Sequence, residues 1–584
     1  MAGWKVYAKR ADFQQIAQEC GISPVLARII RNRDVIGAEE TRKFLEGSLT
    51  DLRDPFLLTD MDRACALLTD KIREHRRIRV IGDYDVDGIC SGYILVRTLR
   101  FYGCSADAVL PDRVLDGYGI NERIVREAAA EGVDTLLTCD NGISAAEPLK
   151  LAREAGMSII VTDHHEVPFS LREDGTKEYH LPPADAVIDP KRPAQPGCAE
   201  YPFPDICGAF VALKLCDALY ARSDTKPDGW ERLRKELLGF AAIATVCDVM
   251  PLQDENRILV RHGLALAQHT ENVGLKALIS VCGLSGRPIS AYHAGFIIGP
   301  CLNASGRLSG ADRALDLFFE EDGHKALHAA GELQQLNESR KEMTQRSVDA
   351  ACAAVLGQKD PMDRILVVLL ENCHESLAGI VAGKVRERFH RPALILTRVA
   401  DGLIKGSGRS TERYNLYENL TLCADLLVKF GGHAMAAGVT LKESDLPAFR
   451  ERLNAQCTLE EDQLEDDLHI DMELPLRYAD APLVRSFEKL EPFGTGNPRP
   501  LFVTREITLT GFRILGKNRN VVKFEAAVPE GGRAEVIRFG SPEEIADLTA
   551  RMPVRIHLVY SPDINSYLGR ESMQYIMKDY RILP

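Results

Sequence analysis

No stretch of the sequence approaches the roughly 20 consecutive apolar residues that a membrane span requires, so no membrane partner is expected. No C-x-x-C pair occurs among the 15 cysteines, which excludes zinc-finger spacing. Several of them (Cys90, Cys139, Cys216, Cys247) lie inside apolar runs. A free thiol behaves there as a small hydrophobe, so reduced, buried cysteines are expected rather than disulfides. The opening MAGWKVYAKRADF has no apolar h-region, and a cleaved secretion signal is not expected. Basic charge is not in excess either: 85 acidic residues outnumber 72 basic ones, for a net charge of −13. That excludes a surface coated everywhere in positive charge but leaves nucleic acid open, because binding follows the local field. Sequence repeats and low-complexity tracts are also lacking. A soluble, cytoplasmic protein is the expectation.

What is present is ordinary globular material, 45% hydrophobic and 27% charged, enough in 584 residues for three to five domains. Short helices are predicted to about residue 60. From residue 77, RRIRVIGDYDVDG reads as an apolar strand running into an Asp/Gly loop, and ICSGYILVRTLRFYG as the helix after it. VDTLLTCDNGIS, MSIIVTDHHE and ADAVIDP repeat the strand theme, which predicts an α/β fold with a parallel sheet and its active site at the strands' carboxyl ends. Residues 165–204 are Pro/Gly-rich and read as an ordered loop, followed by helices near 206–221 and 230–247. A long helical pattern ends near Gln358 and suits a connecting helix. A second, smaller α/β unit then runs from RILVVLLEN to about residue 456. Eight carboxylates between 460 and 473, with no Lys or Arg, suit either a linker or a solvated helix end. The remainder alternates short β-like runs with turns and predicts a small β-barrel. The expected boundaries are 1–60, 61–320, 321–358, 359–457 and 458–584.

The chemistry concentrates at the predicted strand ends. Asp83, Asp85 and Asp87 alternate in GDYDVDG, Asp140 ends TCD, Asp163-His164-His165 ends VTDHH, and Asp248 sits in VCDVMPL. Three carboxylates at period two repel one another unless cations neutralise them. A carboxylate-rich site with one or two imidazoles suits Mg²⁺ or Mn²⁺ better than a thiolate-selecting metal. A calcium loop would need a later bidentate Glu and no strand before it. A lone Asp after a strand is often a helix N-cap, but four such positions recur here.

DYDVDG, TCDNG, TDHH and CDVMPL, in this order, resemble the four motifs of the DHH phosphoesterase superfamily. GPCLNASGR resembles the Asn-Ala…Gly-Arg motif of its RecJ branch. CHESLAGIVAGKVRERFHRPALIL, GSGRS and FGGHAMAAG resemble the DHH-associated domain, and LEPFGTGNPRPLF resembles the entrance to an OB-fold. One departure is Cys373, where many members carry Trp before the position of His374. The resemblance implies a single-stranded-DNA-specific exonuclease acting 5′ to 3′ in repair and recombination. It also implies two divalent cations, single-stranded DNA as substrate, a helicase or single-strand-binding protein as companion, and a monomer.

The resemblance, together with two-metal chemistry, implies candidate roles. Asp140 is the candidate bridge. Asp87, His164 and Asp248 would complete one metal site, and Asp83 with Asp85 the other. His165 would orient the site or contact the scissile phosphate, and Asp163 would hold an imidazole in its tautomer. Asn303 and Arg307, His374, Arg409 and Ser410, and Gly431, Gly432 and His433 are candidates for holding the substrate. From local sequence, Gly431-Gly432 fits a helix C-cap turn equally well. In the C-terminal domain, Arg513, Lys517 and Arg519 would track the strand. Phe512 and Phe524 could stack on bases or belong to the core. The alternatives are a DHH phosphodiesterase of short oligonucleotides or cyclic dinucleotides, and a non-catalytic replication accessory protein.

Overall fold

The structure, a computed structural model, describes residues 3–113, 115–194, 199–308, 310–357, 362–460, 463–464, 466–516, 519–528, 532–540, 545–567 and 569–584. The chain divides into two compact units: Ser48–Asp466, and Met1–Gly47 together with Asp467–Pro584.

The larger unit is built on a five-stranded parallel sheet in the order Ala106–Val109, Ile78–Ile81, Thr135–Cys139, Ser158–Thr162, Ala186–Ile188. The central strands are buried on both faces, as apolar runs without alternation require. The sequence order reverses about Ile78–Ile81, whose neighbours are Ala106–Val109 and Thr135–Cys139. That makes the crevice between Ile81 and Cys139 the topological switch point, where open α/β sheets bind ligands. Val86–Phe101 and Gly208–Arg222 are helices buried along almost their whole length, because they pack between the sheet and further helices. The Pro/Gly-rich stretch contributes an exposed hairpin, Phe169–Leu171 with Lys177–Tyr179, before the edge strand.

The predicted long helix is Gly323–Leu356, 34 residues, started by the Asp322 side chain accepting from His324 N and Lys325 N. A separate helix, Asp312–Phe319, precedes it. Beyond lies a mixed sheet in the order Lys429–His433, Ala436–Lys442, Leu403–Arg409, Ala393–Arg398, Leu366–Leu370. The helix Ala378–Phe389 buries Val381, Ala382 and Val385 beside it.

The smaller unit joins both ends of the chain. Its six-stranded sheet runs Met472–Glu473, Phe502–Leu515, Val521–Ala527, Arg533–Phe539, Arg570–Ile582, Val554–Tyr567, and Val554–Tyr567 also pairs with Phe502–Leu515. The N-terminal helices do not stand apart. Leu26, Ile29, Ile30, Phe44 and Leu45 share one core with Phe502, Leu509, Phe524 and Tyr560, and the strand Trp4–Val6 pairs in parallel with Leu468–Ile470. Buried Arg33 and Asp471 form an ion pair across that junction. Local periodicity carries no signal for a partner some 440 residues away (the Arg33–Asp471 separation is 438), so the sequence reading separated these segments.

The described cysteines are all unpaired, eleven of them buried, as their apolar settings predict. Cys198 lies outside the described residues, as do Glu461, Asp462 and Glu465 of the acidic run.

Candidate active site

Each candidate carboxylate or imidazole sits just past a strand or a helix end, and local geometry fixes its aim. Asp85 caps the helix Val86–Phe101, its Oδ1 accepting from Asp87 N at 3.0 Å and Gly88 N at 3.2 Å. That turn places buried Asp87 one step inside the helix. A second helix aims Asp87: its Oδ2 accepts from Gly208 N at 2.7 Å and its Oδ1 from Ala209 N at 2.8 Å, at the start of Gly208–Arg222. Unsatisfied amides and the positive helix end both favour an anion there. Asp83 Oδ1 accepts from Gly119 N at 3.2 Å. Asp140 adopts φ 59°, a left-handed turn off the strand Thr135–Cys139.

The groups converge. His164 Nε2 lies 3.0 Å from Asp140 Oδ1, 3.5 Å from Asp87 Oδ2 and 3.6 Å from Asp248 Oδ2. Three sets of side chains could each surround one ion: Asp87, His164 and Asp248; Asp83, Asp85 and Asp140; and Asp140, His164 and His165. Asp140 belongs to two of them.

The electrostatics of this cluster are those of a cation site. Burial, reinforced by the Asp85 charge, pushes Asp83 up to about 8. Burial also raises Asp87, against the pull of His164, and holds Asp140 and Asp248 well above the carboxylate range, with the neighbouring carboxylates adding to the effect. Asp248 Oδ2 and His164 Nδ1 are buried without a hydrogen-bond partner. Buried carboxylates this close cannot all ionise unless positive charge is supplied. Hard oxygen donors with one or two imidazoles fit Mn²⁺ or Mg²⁺.

Asp163 stands behind the cluster. It is buried, and its Oδ1 lies 2.7 Å from His165 Nδ1 while Oδ2 accepts from Ile143 N at 2.9 Å. Burial alone would raise it, but the His165 hydrogen bond and the imidazole charges outweigh that and leave it below the usual range. Burial in turn would lower His165, but the same bond to Asp163 raises it to about 9. His165 is half-exposed and therefore open to substrate.

The candidate phosphate-binding groups of the DHH-associated segment and the helix Gly299–Leu308 lie in the same unit. Arg307 donates to Ser376 O at 2.6 Å, and Ser376 Oγ to Arg307 O at 3.2 Å, while His374 Nδ1 lies 2.8 Å from Ser376 Oγ. Burial, with Arg113 and Arg340 nearby, lowers Arg307 to about 10. Burial and Arg113 also lower Arg409, which donates to Ser407 Oγ at 3.0 Å and Gly408 O at 2.8 Å. Arg113 thus repels both Arg307 and Arg409, a crowding of cations that suits a polyanion. Asn303 is part-exposed on the helix Gly299–Leu308 that carries Arg307.

One expectation needs correction, and two readings left open are decided. Ser410 is 1% exposed and its hydroxyl donates inward to Tyr414 O at 2.6 Å; Ser407 is the hydroxyl beside Arg409. Gly431 and Gly432 are not a helix C-cap turn but lie in the strand Lys429–His433. A Cβ on Gly432 would come within 2.6 Å of Ala437 Cα, whereas one on Gly431 meets nothing within 4 Å. His433 is exposed at the strand's end. Phe524 is fully buried, while Phe512 is 40% exposed. Arg513 is exposed on the strand Phe502–Leu515 and Arg519 in the bend before Val521–Ala527, and Lys517 lies outside the described residues.

Sequence reasoning missed four residues here. Tyr118 donates to Asp140 O at 2.5 Å, with its hydroxyl 3.1 Å from His165 Nδ1. Arg113 lies with its guanidinium 4.6 Å from the Tyr84 ring centre. Both sit in the loop after Ala106–Val109, which carries no local signal. Asp189 is buried, with Oδ2 unpartnered, and burial and Asp163 raise it well above the usual range. It follows the strand Ala186–Ile188, and that placement was the available signal. Gly208 packs so closely that a Cβ would stand 2.6 Å from Asp140 Cβ.

A parallel sheet with a carboxylate–imidazole cluster at its switch point, an associated mixed domain and a further β-rich domain define a protein of the DHH family. Residues 77–245 match the DHH family, N-terminal domain, residues 363–459 the DHHA1 domain, and residues 470–579 the RecJ OB domain. More narrowly, the chain belongs to the RecJ family. It is 34% identical over 581 residues to the single-stranded-DNA-specific exonuclease RecJ of Bacillus subtilis, covering 99% of this chain and 70% of that protein. It is 32% identical to the Escherichia coli protein of the same name, over 95% of each. It is also similar to the crystal structure of RecJ in complex with Mn²⁺ from Thermus thermophilus, with a TM-score of 0.81 at 28% identity over 99% of this chain and 79% of that one.

Proposed function

We infer that this chain is a metal-dependent exonuclease specific for single-stranded DNA, releasing mononucleotides from the 5′ end. The observation that carries the reading is the convergence of Asp83, Asp85, Asp87, Asp140, His164 and Asp248, in which burial raises Asp83, Asp87, Asp140 and Asp248, in a chain like RecJ over nearly its whole length.

Asp87, His164 and Asp248 would hold one divalent cation and Asp83 with Asp85 a second, with Asp140 shared. When bound, such a pair of cations activates water and stabilises charge on the attacking and leaving oxygens of an in-line phosphoryl displacement. The protein's own groups do the rest. Helix amides lock the Asp87 carboxylate through both oxygens. Asp163 keeps His165 protonated and aimed, so that a donor faces the scissile phosphate. Tyr118 braces both His165 and the Asp140 backbone. Arg113, Arg307 and Arg409 bind phosphate oxygens, with His374, Asn303 and His433 around them, and the open Gly431 leaves room for a nucleotide. Arg513 and Arg519 would neutralise phosphates of a single strand bound at the smaller unit.

The match to an OB domain in a chain of this length favours long single strands over the short-oligonucleotide alternative, and the complete acidic cluster favours an enzyme over an accessory protein. Duplex DNA must be opened before such an enzyme acts, so a helicase or single-strand-binding protein is the expected companion. Nothing in the proposed site needs a second copy, and a cytoplasmic monomer is the simplest form. The test is a time course with Mn²⁺ on long 5′-labelled and 3′-labelled strands and the matching duplex. Labelled mononucleotide should appear at once from the 5′ label and last from the 3′ label, with the duplex resistant. Early release of the 3′ label would reverse the polarity, and equal attack on the duplex would remove the strand specificity.

A further inference from the structure

The segment Ala291–Leu308 is one helical rod with a π-turn over Ala294–Ile298. Such turns are frequent at functional sites. Just at this turn the rod shows solvent two large rings: Tyr292 is 63% exposed and Phe296 69%, stacked on each other at 5.1 Å between centres and 23° between planes. Singly exposed apolar residues need no explanation. A stacked aromatic pair held in water is different, because most of its surface gains nothing from the fold.

The pair is not isolated. Tyr292, Phe296, Pro300, Asn303 and Arg307 follow one another at spacings of four, four, three and four, which is one face of a helix. All five are open to solvent at least in part, whereas Ala294, Ile298, Leu302 and Ser305 between them are buried. At about 1.5 Å per residue, Phe296 stands roughly 16 Å and Tyr292 roughly 22 Å along the rod from Arg307. The rod is pinned to the candidate active site from below. Gly295 faces Val246, and a Cβ on Gly299 would overlap Cys247 Sγ, one residue before Asp248. At the Arg307 end the field is cationic, with Arg113 and Arg340 close by.

We propose that Tyr292 and Phe296 form a base-stacking platform for a single strand whose phosphates are held at Arg307. The proposal rests on the single-strand nuclease reading and adds to it the residues that grip the strand roughly 16–22 Å along the rod from Arg307. A face with anion-binding groups at one end and bare rings at the other matches a nucleic-acid strand, which offers phosphates and π-faces together. A protein partner would want a broader apolar patch than two rings supply. Every base has a π-face, so the platform is indifferent to sequence.

The experiment measures binding with metal chelated, so that no strand is consumed. Fluorescence anisotropy reads the affinity of a 20-nucleotide strand, and a metal-loaded assay reads turnover of a dinucleotide too short to reach the rings. Replacing both rings (Tyr292→Ala with Phe296→Ala, or both by Leu to keep apolar volume) should weaken the 20-mer tenfold or more and leave the dinucleotide rate within twofold. The aromatic exchange Tyr292→Phe with Phe296→Tyr should bind as wild type does. A 2-aminopurine walked along the strand should be quenched at the platform position in wild type and bright in the variants. Unchanged 20-mer affinity overturns the proposal, whether or not the variants alter the oligomeric state, and so does an equal loss on both substrates. If wild-type protein binds the strand at the rings but fails to cleave it, the nuclease reading fails while the platform stands.

Discussion

Gly208→Ala tests the packing that the site depends on and alters no candidate ligand. Gly208 opens the helix Gly208–Arg222, donates its amide to Asp87 Oδ2 at 2.7 Å, and lies against Asp140. A methyl group built there would stand 2.6 Å from Asp140 Cβ and 2.9 Å from its Cα, with Asp87 Oδ2 at 3.1 Å. The near atoms include backbone, so no side chain can swing aside. Restoring ordinary contact requires the helix start and the Asp140 turn to separate by about 1 Å, and displacement of that size at a reacting centre costs on the order of 100-fold in rate. That corresponds to about 2.7 kcal/mol of barrier. Overpacking of one methyl group costs about 1–3 kcal/mol of stability, which a unit this large tolerates. The assay is kcat/KM on a long 5′-labelled strand at saturating Mn²⁺, with circular dichroism and a melting curve confirming the fold. A folded variant whose rate stays within threefold of wild type would refute the argument that Asp87 and Asp140 are held in register by that close approach.

Four other outcomes are expected. Chelation with EDTA should abolish activity, with Mn²⁺ or Mg²⁺ restoring it and Ca²⁺ not, because Ca²⁺ accepts looser, larger coordination; full activity in EDTA would remove the cation reading. Asp163→Asn should lower the rate about 10–100-fold with metal binding retained, since it loosens His165 and leaves the candidate ligands in place. Replacing Arg513 and Arg519 by Ala should make the salt dependence of strand binding shallower by about 1.4 in log–log slope, at about 0.7 per phosphate contact; an unchanged slope would take the strand off that surface. Arg33→Ala should destabilise the smaller unit by about 3–5 kcal/mol in denaturant unfolding, because it strands the buried Asp471 charge.

The sequence was most legible where chemistry recurs at a fixed place in the fold. Carboxylates after Ile81, Cys139 and Thr162 could be assigned to one sheet edge because a parallel sheet puts its carboxyl ends together. The same logic extends to Asp189, which follows the strand Ala186–Ile188 and was not singled out. Tyr118 and Arg113 were out of reach, because a loop without periodicity gives no indication of what it folds over. Ser410 was misjudged because adjacent residues of GSGRS alternate in direction along the strand Leu403–Arg409 and its continuation. The pairing register that sends Ser410 inward and leaves Arg409 beside Ser407 is set by partners distant in sequence. The Gly431-Gly432 pair was ambiguous for a related reason: glycine permits many backbones, and only its neighbour Ala437 decides which one. The N-terminal helices were read correctly as helices, but their partner was invisible. Removing the C-terminal domain after Asp480 would strip Leu26, Ile29 and Phe44 of the core they share, so point substitutions on its exposed face are the sound test of strand binding.

Asp140 carries the central claim, being the carboxylate common to two of the three clusters and the nearest to His164. The direct measurement is Asp140→Ala beside wild type, combining Mn²⁺ titration by calorimetry with the initial rate on a 5′-labelled strand. Wild type should take up two ions. The variant should melt as a folded protein, bind the strand with metal absent as wild type does, take up Mn²⁺ more weakly, and lose well over nine-tenths of its rate. A folded variant that keeps more than about a tenth of the wild-type rate, which is about 1.4 kcal/mol of barrier, or that still takes up two ions with undiminished affinity, would contradict the account.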